Sequence, residues 1–521
     1  MAKGGFAIPS IAWRVSGIVA IALMLRLWGT NFGLPFAYHP DEGAIIMPAV
    51  NILRTGNYQP FRLDYGSAYI YALTFLYIPY FLYGAWRGFF TSVSDLPVFL
   101  DYHLIERYPV PMLFLIGRLL TAILGAMTVL LVYRLGNRLA SKGAGLLAAV
   151  FLTVEPLHVR HSHFATMDVP MTCLVILALV KILDLFERGE LHDYVWSGIW
   201  TGIAASTKFP GGMLYLSLVV AHLMRARCWS DLLDKHLAIG TAATAGGFLL
   251  STPYALDLPY FLNWLAINLS FYGVKPSDAL VEGPAWQYYT RILLQGETAP
   301  LVIFGVLGLA QLIKHDWRRG AIVMTFPIIY AFFVFIQSSR YARQLIPLIP
   351  FLMLGVGIFL DRVRQWLAQC LPSDNIEPHR LSALIVSTLA VLFAVLPLGV
   401  SAKISILLAG TDVRTTALEW YNANIAPQTK TAADWTGPPF LTGYHNVWRT
   451  WDLAERNADW YIEQGFEYLV ISEPRVFDPN RTVRLEASYR ELMTRFTLVK
   501  VFEGALLGID GRRIWIYRVT P

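Results

Sequence analysis

The feature that most restricts this chain is the recurrence of apolar runs of roughly 17 to 25 residues, the length a helix needs to cross a ~30 Å hydrocarbon core. Such runs begin near Ile11, Pro111, Gly143, Val169, Val195, Gly211, His236, Pro300, Ala321, Gln344 and Leu381, about eleven spans. In lipid each backbone amide and carbonyl must be satisfied within its own segment, so the runs are read as helices. Composition agrees. Of 521 residues 55% are hydrophobic and 15% charged, with a mean hydropathy of +0.48, which argues against a water-soluble globular chain. Two runs are irregular. Val195 to Leu223 is broken by Lys208-Phe209-Pro210-Gly211-Gly212 and reads as two short helices meeting at a turn, while Ser67 to Phe90 is rich in Tyr and reads as an interfacial helix.

Loop charges set an expected orientation. With the N-terminus in the cytoplasm, the inside loops hold Arg134, Arg138 and Lys142, then Lys181 and Arg188, then Arg225, Arg227 and Lys235, then Lys314, Arg318 and Arg319, then Arg362, Arg364 and Arg380. Each short basic loop falls inside, as the positive-inside rule requires, and the net charge of +6 is explained by anionic headgroups without a nucleic-acid partner. Outside lie Gly29 to Tyr108, His158 to Asp168, Thr252 to Thr298, Gln337 to Arg343 and the C-terminal segment. The first apolar run is read as a span and not a cleaved secretory signal, since no small-x-small site follows it. Cys173 falls in an apolar run and Cys228 and Cys370 on the cytoplasmic side, so neither disulfides nor a Cys-based metal site is expected.

From about Asp412 the composition becomes that of a small soluble domain. Thr415 to Asn424, Asn457 to Gln464 and Leu485 to Arg495 read as helices. Thr429 to Asp434, Glu467 to Ser472, Leu498 to Phe502 and Arg513 to Val519 read as strands, predicting an α/β sandwich. The expected division is a membrane module over 1–405 and an extracytoplasmic α/β domain over 406–521.

Three clusters near the outer boundary carry chemistry. Tyr38-His39-Pro40-Asp41-Glu42-Gly43 places two carboxylates just after the first span; they can accept a proton or bind a cation, or simply begin a helix whose first turn favours acids. The next outside loop, Glu155 to Asp168, holds His158, His161 and His163. Asp168 directly precedes an apolar span, where an acid needs work or a partner. The spacing of the histidines matches no defined metal motif, and surface or hydrogen-bonded histidines account for them better than ligands do. Lys208, in the helix break, and Arg340 and Arg343 form a basic set where the positive-inside bias disfavours cations. They face either lipid phosphate, which a guanidinium holds through paired hydrogen bonds, or ordinary headgroups. Acids and bases around one leaflet point to displacement at a carbon bonded to a lipid phosphate.

The chain resembles the C-type (GT-C) glycosyltransferases of the protein O-mannosyltransferase and aminoarabinose transferase superfamily, bacterial type. The resemblance rests on His39-Pro40-Asp41-Glu42, on Gly117-Arg118-Leu119-Leu120 through Arg138-Leu139-Ala140, and on Ala148-Ala149 through Pro156-Leu157-His158. It continues at Ala165-Thr166-Met167-Asp168-Val169-Pro170, Thr207-Lys208-Phe209-Pro210 and Arg340-Tyr341-Ala342-Arg343-Gln344-Leu345-Ile346-Pro347, covering about two-thirds of the chain. It implies a GT-C fold with two interfacial helices in the first outside loop and a cavity open to the outer leaflet of the inner (cytoplasmic) membrane. It implies an inverting transfer of a sugar, mannosyltransferase-like, from a polyprenyl-phosphate donor to a hydroxyl of a protein, lipid or glycan. Asp41 matches the catalytic base, Glu42 its neighbour, and Asp168 a second acid that orients acceptor or base. Lys208, Arg340 and Arg343 match positions facing the donor phosphate, and His39, His161, His163 and Tyr65 are further candidate substrate or metal contacts. No metal is expected to be required; a divalent cation on His39, His161, His163, Asp41 and Asp168 is the minority alternative. Asp64-Tyr65-Gly66 stands where the aminoarabinose branch has a phosphate-binding lysine, and the C-terminal segment lacks the repeat domain of eukaryotic protein mannosyltransferases.

The competing class is a secondary transporter with an outward-facing acidic and basic site. It would place acids and broken helices near the midplane in paired inverted halves, whereas here the acids lie at span ends and no paired halves are visible. A membrane-anchored binding protein would need one span, not eleven.

Overall fold

The computed structural model describes residues 11–60, 66–98, 108–226, 231, 234–273, 284–294, 299–337, 340–371, 377–441, 443–473, 483–504 and 513–520. Helices begin at or close to each expected span start: α1 (Ile11–Leu27), and, after α2 (Pro40–Thr55) and α3 (Ala68–Trp86), α4 (Met112–Leu139) and α5 (Lys142–Val154). The short α6 (Pro156–His161) precedes α7 (Asp168–Glu187), α8 (Leu191–Thr207), α9 (Tyr215–Arg225) and α10 (Lys235–Ser251). Then come α11 (Leu258–Gly273), α12 (Ala285–Leu294), α13 (Ala299–His315), α14 (Trp317–Ile336), α15 (Ile349–Cys370) and α16 (Pro378–Ala409).

Among the described residues six helices are long and apolar enough to cross a membrane, or seven if the bent pair α12 and α13 is one span. Of the other expected spans, α1, α8, α10 and α13 run for 17 residues each, the lower end of the range that crosses a bilayer, while α5 and α9 run for 13 and 11. The Tyr-rich α3, read from sequence as interfacial, is one of the six. As read from sequence, α8 stops at Thr207, a 3₁₀ turn occupies Phe209–Leu214, and α9 resumes at Tyr215. Of the cysteines, Cys173 is buried, Cys370 is exposed and neither is in a disulfide; Cys228 lies outside the described residues.

Helix packing relies on missing side chains. A Cβ on Gly308 of α13 would collide with the carbonyl of Gly355 on α15, and one on Gly202 of α8 with the carbonyl of Thr244 on α10. Without a hydrophobic drive between helices in lipid, such close backbone approach supplies the van der Waals contact that holds them.

The C-terminal residues form a five-stranded sheet between two helical layers. The strands are β1 (Thr431–Asp434), β2 (Val447–Thr450), β3 (Tyr468–Ser472), β4 (Thr497–Phe502) and β5 (Ile514–Arg518), in the order β2-β1-β3-β5-β4. β1 is parallel to β2 and β3, and β5 antiparallel to β3 and β4. α17 (Val413–Asn424) packs Ala417 and Tyr421 on the face made by Ala433, Val470 and Ile516. α18 (Ala458–Glu463) and α19 (Val483–Arg495) cover the face of Ala432, Leu469 and Trp515. Buried Asp434 ties the layers, accepting from the amides of Leu453 (3.1 Å) and Ser472 (2.9 Å) and from the Tyr489 hydroxyl (2.7 Å). The sandwich matches the expectation; β2 was not foreseen.

Gly308→Ala is expected to cost about 1–3 kcal/mol through overpacking. Gly246→Ala, at a helical position where a Cβ meets nothing within 4 Å, leaves stability unchanged or raised. Thermal unfolding in detergent of the two variants checks the contrast.

Candidate active site

Asp41 is in the first turn of α2, where free amides and the helix dipole favour an acid. Pro40 opens the helix without losing a needed donor, and His39 caps it, its Nδ1 accepting the Asp41 amide at 3.3 Å. The Asp41 carboxylate pairs with Arg343, Nη1 to Oδ2 2.5 Å, each side chain 21% exposed. The Nε of Arg343 lies 4.0 Å from Oδ2 of Asp168, which opens α7 and is only 3% exposed. The other Asp168 oxygen accepts from Lys208 Nζ at 2.6 Å. Asp41, Arg343, Asp168 and Lys208 therefore form one chain of alternating charge, drawn from four separate segments.

The two cations are delivered by irregular backbone. Lys208 sits where α8 gives way to the 3₁₀ turn, and Arg343 lies in a second 3₁₀ turn, Ala342–Leu348. That second turn is fixed by Gln344. Its side chain accepts from the Tyr289 hydroxyl and donates to Gln337 Oε1 at 2.7 Å, while its carbonyl accepts from Tyr330 at 3.0 Å. The Arg343 guanidinium rests 4.5 Å from the Tyr341 ring centroid. Arg340, like Arg343, is close enough to the Tyr289 phenol for its charge to act on it.

Glu42 faces the other way. Fully buried, it takes Arg118 in a bidentate pair, Nε to Oε1 2.8 Å and Nη2 to Oε2 2.7 Å, and Oε1 also accepts the Ala165 amide at 2.9 Å. Arg118 spends its remaining donors on the carbonyls of Thr30 (2.9 Å) and Phe32 (2.6 Å). Glu42 thus offers no open face to a substrate, although the sequence reading grouped it with the catalytic acids. Arg118, quoted there only as part of a motif, is the residue the reading missed. A fully buried guanidinium within an apolar span demands a partner, and that demand was the available signal.

The histidines divide. The His39 ring lies 4.5 Å from the Phe164 ring centroid, and burial lowers its pKa against the upward pull of Asp41 and Glu42, which suits its neutral role as a cap. His163 has backbone carbonyls at both ring nitrogens, Val159 at 2.9 Å and Trp28 at 3.0 Å, and has no nitrogen left for a metal. Burial, reinforced by the charges of Arg160, His39 and Arg343, pushes His161 well down, and its Nδ1 has no hydrogen-bond partner among the described residues, nor has Thr166 Oγ1. Among the described residues the ligand-type atoms that converge are those of Glu190, His192 and Asp193, and the five residues named as a metal set do not. Tyr65 lies outside the described residues.

Arg118→Met is expected to cost about 3–5 kcal/mol by stranding the Glu42 carboxylate. Glu42→Met with Arg118→Met recovers part of that loss. Thermal unfolding of the single and double variants checks the order.

Residues 114–254 match the family described as Dolichyl-phosphate-mannose-protein mannosyltransferase. The chain is 25% identical over 251 residues to an uncharacterized protein of Aquifex aeolicus, a match covering 47% of this chain and 48% of that one. It is 29% identical over 166 residues to Dolichyl-phosphate-mannose–protein mannosyltransferase 1 of Saccharomyces cerevisiae, covering 30% of this chain and 20% of that protein. The matches thus span about half of the first relative and a fifth of the second. Among solved structures, ArnT from Cupriavidus metallidurans in the apo state superposes with a TM-score of 0.53 at 17% identity, over 97% of this chain and 98% of that one. The same protein bound to undecaprenyl phosphate gives 0.50 at 17% identity over 98% of each. The chain thus shares the fold of ArnT from Cupriavidus metallidurans, and its residues 114–254 match the mannosyltransferase family.

Proposed function

We propose that the protein is an inverting glycosyltransferase that moves a sugar, mannose or a related hexose, from a polyprenyl-phosphate donor to an acceptor hydroxyl at the outer face of the cytoplasmic membrane. The observation that carries this reading is the alternation of Asp41, Arg343, Asp168 and Lys208 within ion-pair distance. Two cations beside two acids provide both halves of a displacement at carbon. Asp41, the more exposed acid, takes the proton of the acceptor hydroxyl as its oxygen bonds to the anomeric carbon. The bond from that carbon to the phosphate oxygen breaks, and its electron pair leaves with the phosphate, where Lys208, Arg343 and Arg340 balance the charge. Attack opposite the leaving group inverts the anomeric centre. Asp168 holds Lys208 and orients the acceptor or Asp41. Glu42 is a positioning residue behind Asp41, and His161 and Thr166 are candidate contacts for sugar hydroxyls.

The lipid-phosphate donor is supported by the undecaprenyl phosphate bound by the Cupriavidus enzyme and by the yeast relative's name. The acceptor is a protein, lipid or glycan, and the division into a membrane module over 1–405 and an extracytoplasmic domain over 406–521 is part of the same reading. Charge balance comes from side chains, so no metal is required, and transfer is expected to survive exhaustive chelation with less than a twofold change, roughly the scatter of such an assay.

The test offers the purified protein a panel of polyprenyl-phosphate sugars and follows their consumption by mass spectrometry. Asp41→Asn is expected to lower transfer by about 10²–10⁴-fold with expression and folding intact. Arg343→Ala is expected to weaken donor binding as well as turnover. Near-normal transfer by Asp41→Asn, or solute uptake into proteoliposomes without sugar transfer, overturns the reading.

A further inference from the structure

The soluble domain meets the membrane module at the residues that lead into Asp41. Tyr38, only 3% exposed, donates or accepts a hydrogen bond with Thr415 Oγ1 on α17 at 2.7 Å. The Arg414 guanidinium lies 3.8 Å from the Tyr38 ring centroid. Arg414 is itself fixed in plane by Asp412, Nε to Oδ1 2.8 Å and Nη2 to Oδ2 2.7 Å, all of it buried. Asp412 is also the N-cap of α17, accepting the Arg414 amide at 2.8 Å. One carboxylate therefore starts the helix and aims the cation that covers Tyr38.

The segment on the other side of Tyr38 is equally constrained. The chain turns at Gly33 with φ +66°, and a Cβ there would collide with the Tyr38 ring. Phe36 packs against the α17 face of the sheet domain. Tyr38 clusters with Phe32, Phe164, Ile404 and Leu408, and Phe164 is the residue on which the His39 ring rests. His39 then caps the Asp41 amide. Thr415 and Tyr38, 377 residues apart in sequence, are joined directly, and the residue after Tyr38 is the cap of the Asp41 amide.

We propose that Arg414, Thr415 and Tyr38 form a positioning clamp by which the C-terminal domain sets the placement of Asp41 for proton transfer. The clamp rests on the glycosyltransferase reading, in which Asp41 is the base. It gives the soluble domain a task in turnover: a guanidinium face and a hydroxyl define where the Tyr38 ring sits, and Tyr38 is three residues from the carboxylate. Removing the clamp leaves the donor-phosphate cations Lys208 and Arg343 in place, so the defect falls on the chemical step and not on donor binding.

The experiment uses the full chain in nanodiscs, with transfer kinetics and thermal unfolding measured on the same preparations. Arg414→Leu is expected to lower kcat by about 10- to 100-fold, the scale of an ångström-sized misplacement, with KM for donor and acceptor within about twofold of wild type. Arg414→Lys, which keeps a cation over the ring, recovers part of the loss. Tyr38→Phe and Thr415→Val, which remove one hydrogen bond each and keep the packing, lower kcat by a few fold and serve where Arg414→Leu does not fold. A double-mutant cycle with Asp41→Glu separates positioning from mere stability: losses that are less than additive support the clamp, because a displaced base has little placement left to lose. Additive losses, unchanged kcat in folded Arg414→Leu or Tyr38→Phe, or a raised KM with unchanged kcat overturn it. Full transfer by Asp41→Asn alone strikes instead at the assigned base, a result that the clamp variants in an active protein do not mimic.

Discussion

Two carboxylates and two cations that neutralise one another make this site possible. An isolated charge at a lipid boundary, buried as deeply as Asp168, carries a desolvation penalty of several kcal/mol. Here each acid faces a cation, and the set is neutral without an external ion. The couplings are unequal, however. Lys208 and Asp168 are in direct contact, while Arg343 pairs with Asp41 at 2.5 Å and reaches Asp168 at 4.0 Å. Under the proposed reaction, an incoming phosphate competes most easily for Arg343. In that reading Arg343 exchanges part of its contact with Asp41 for the phosphate, which couples the two halves of the displacement.

Such an exchange needs a rigid frame, since a relaxed frame would let the acids and cations collapse onto one another in new arrangements. The Glu42–Arg118 pair supplies part of it by joining α2, α4, the turns that follow α1 through the Thr30 and Phe32 carbonyls, and the segment between α6 and α7 through the Ala165 amide. Arg26 adds another tie, its guanidinium accepted by the carbonyls of Leu152 and Thr153 at the end of α5. Arg26 satisfies carbonyls that the end of α5 leaves open, and Arg118 those of the turns after α1. The residues closest to the chemistry are thus held by residues that never touch it.

Much of this was legible in the sequence, and the limits have physical causes. Helix starts could be read because apolar periodicity and loop charge are local signals, and so could the break at Lys208 and all the sheet-domain elements except β2. β2 is a four-residue edge strand carrying Trp448, Arg449 and Thr450, too short and mixed to show a period of two. Asp41, Asp168, Lys208 and Arg343 could be nominated because charges at span ends are costly. Their order of pairing could not, since it depends on where four segments meet. Glu42 was grouped with Asp41 because adjacency in sequence was taken for adjacency in function. In the first turn of a helix consecutive side chains point about 100° apart, which sends one carboxylate to the site and its neighbour into the core. Helix ends were harder to read than starts, because apolar content does not report where a helix stops.

Under the proposed reaction, the irregular backbone at both cations has a use beyond packing. Irregular backbone forfeits helical hydrogen bonds that a continuous helix through residue 208 would keep. Instead α8 stops, and Gly211 packs so closely on the Ala204 carbonyl that a Cβ would collide with it, which lets the backbone turn and Lys208 reach Asp168. The turn at Ala342–Leu348 does the same for Arg343, with Pro347 and the Gln344 network preventing an early start of α15. Two unrelated segments therefore accept the same backbone penalty, and each ends with a cation facing an acid. A protein that needed only to span the membrane would have no reason to do so twice at one spot.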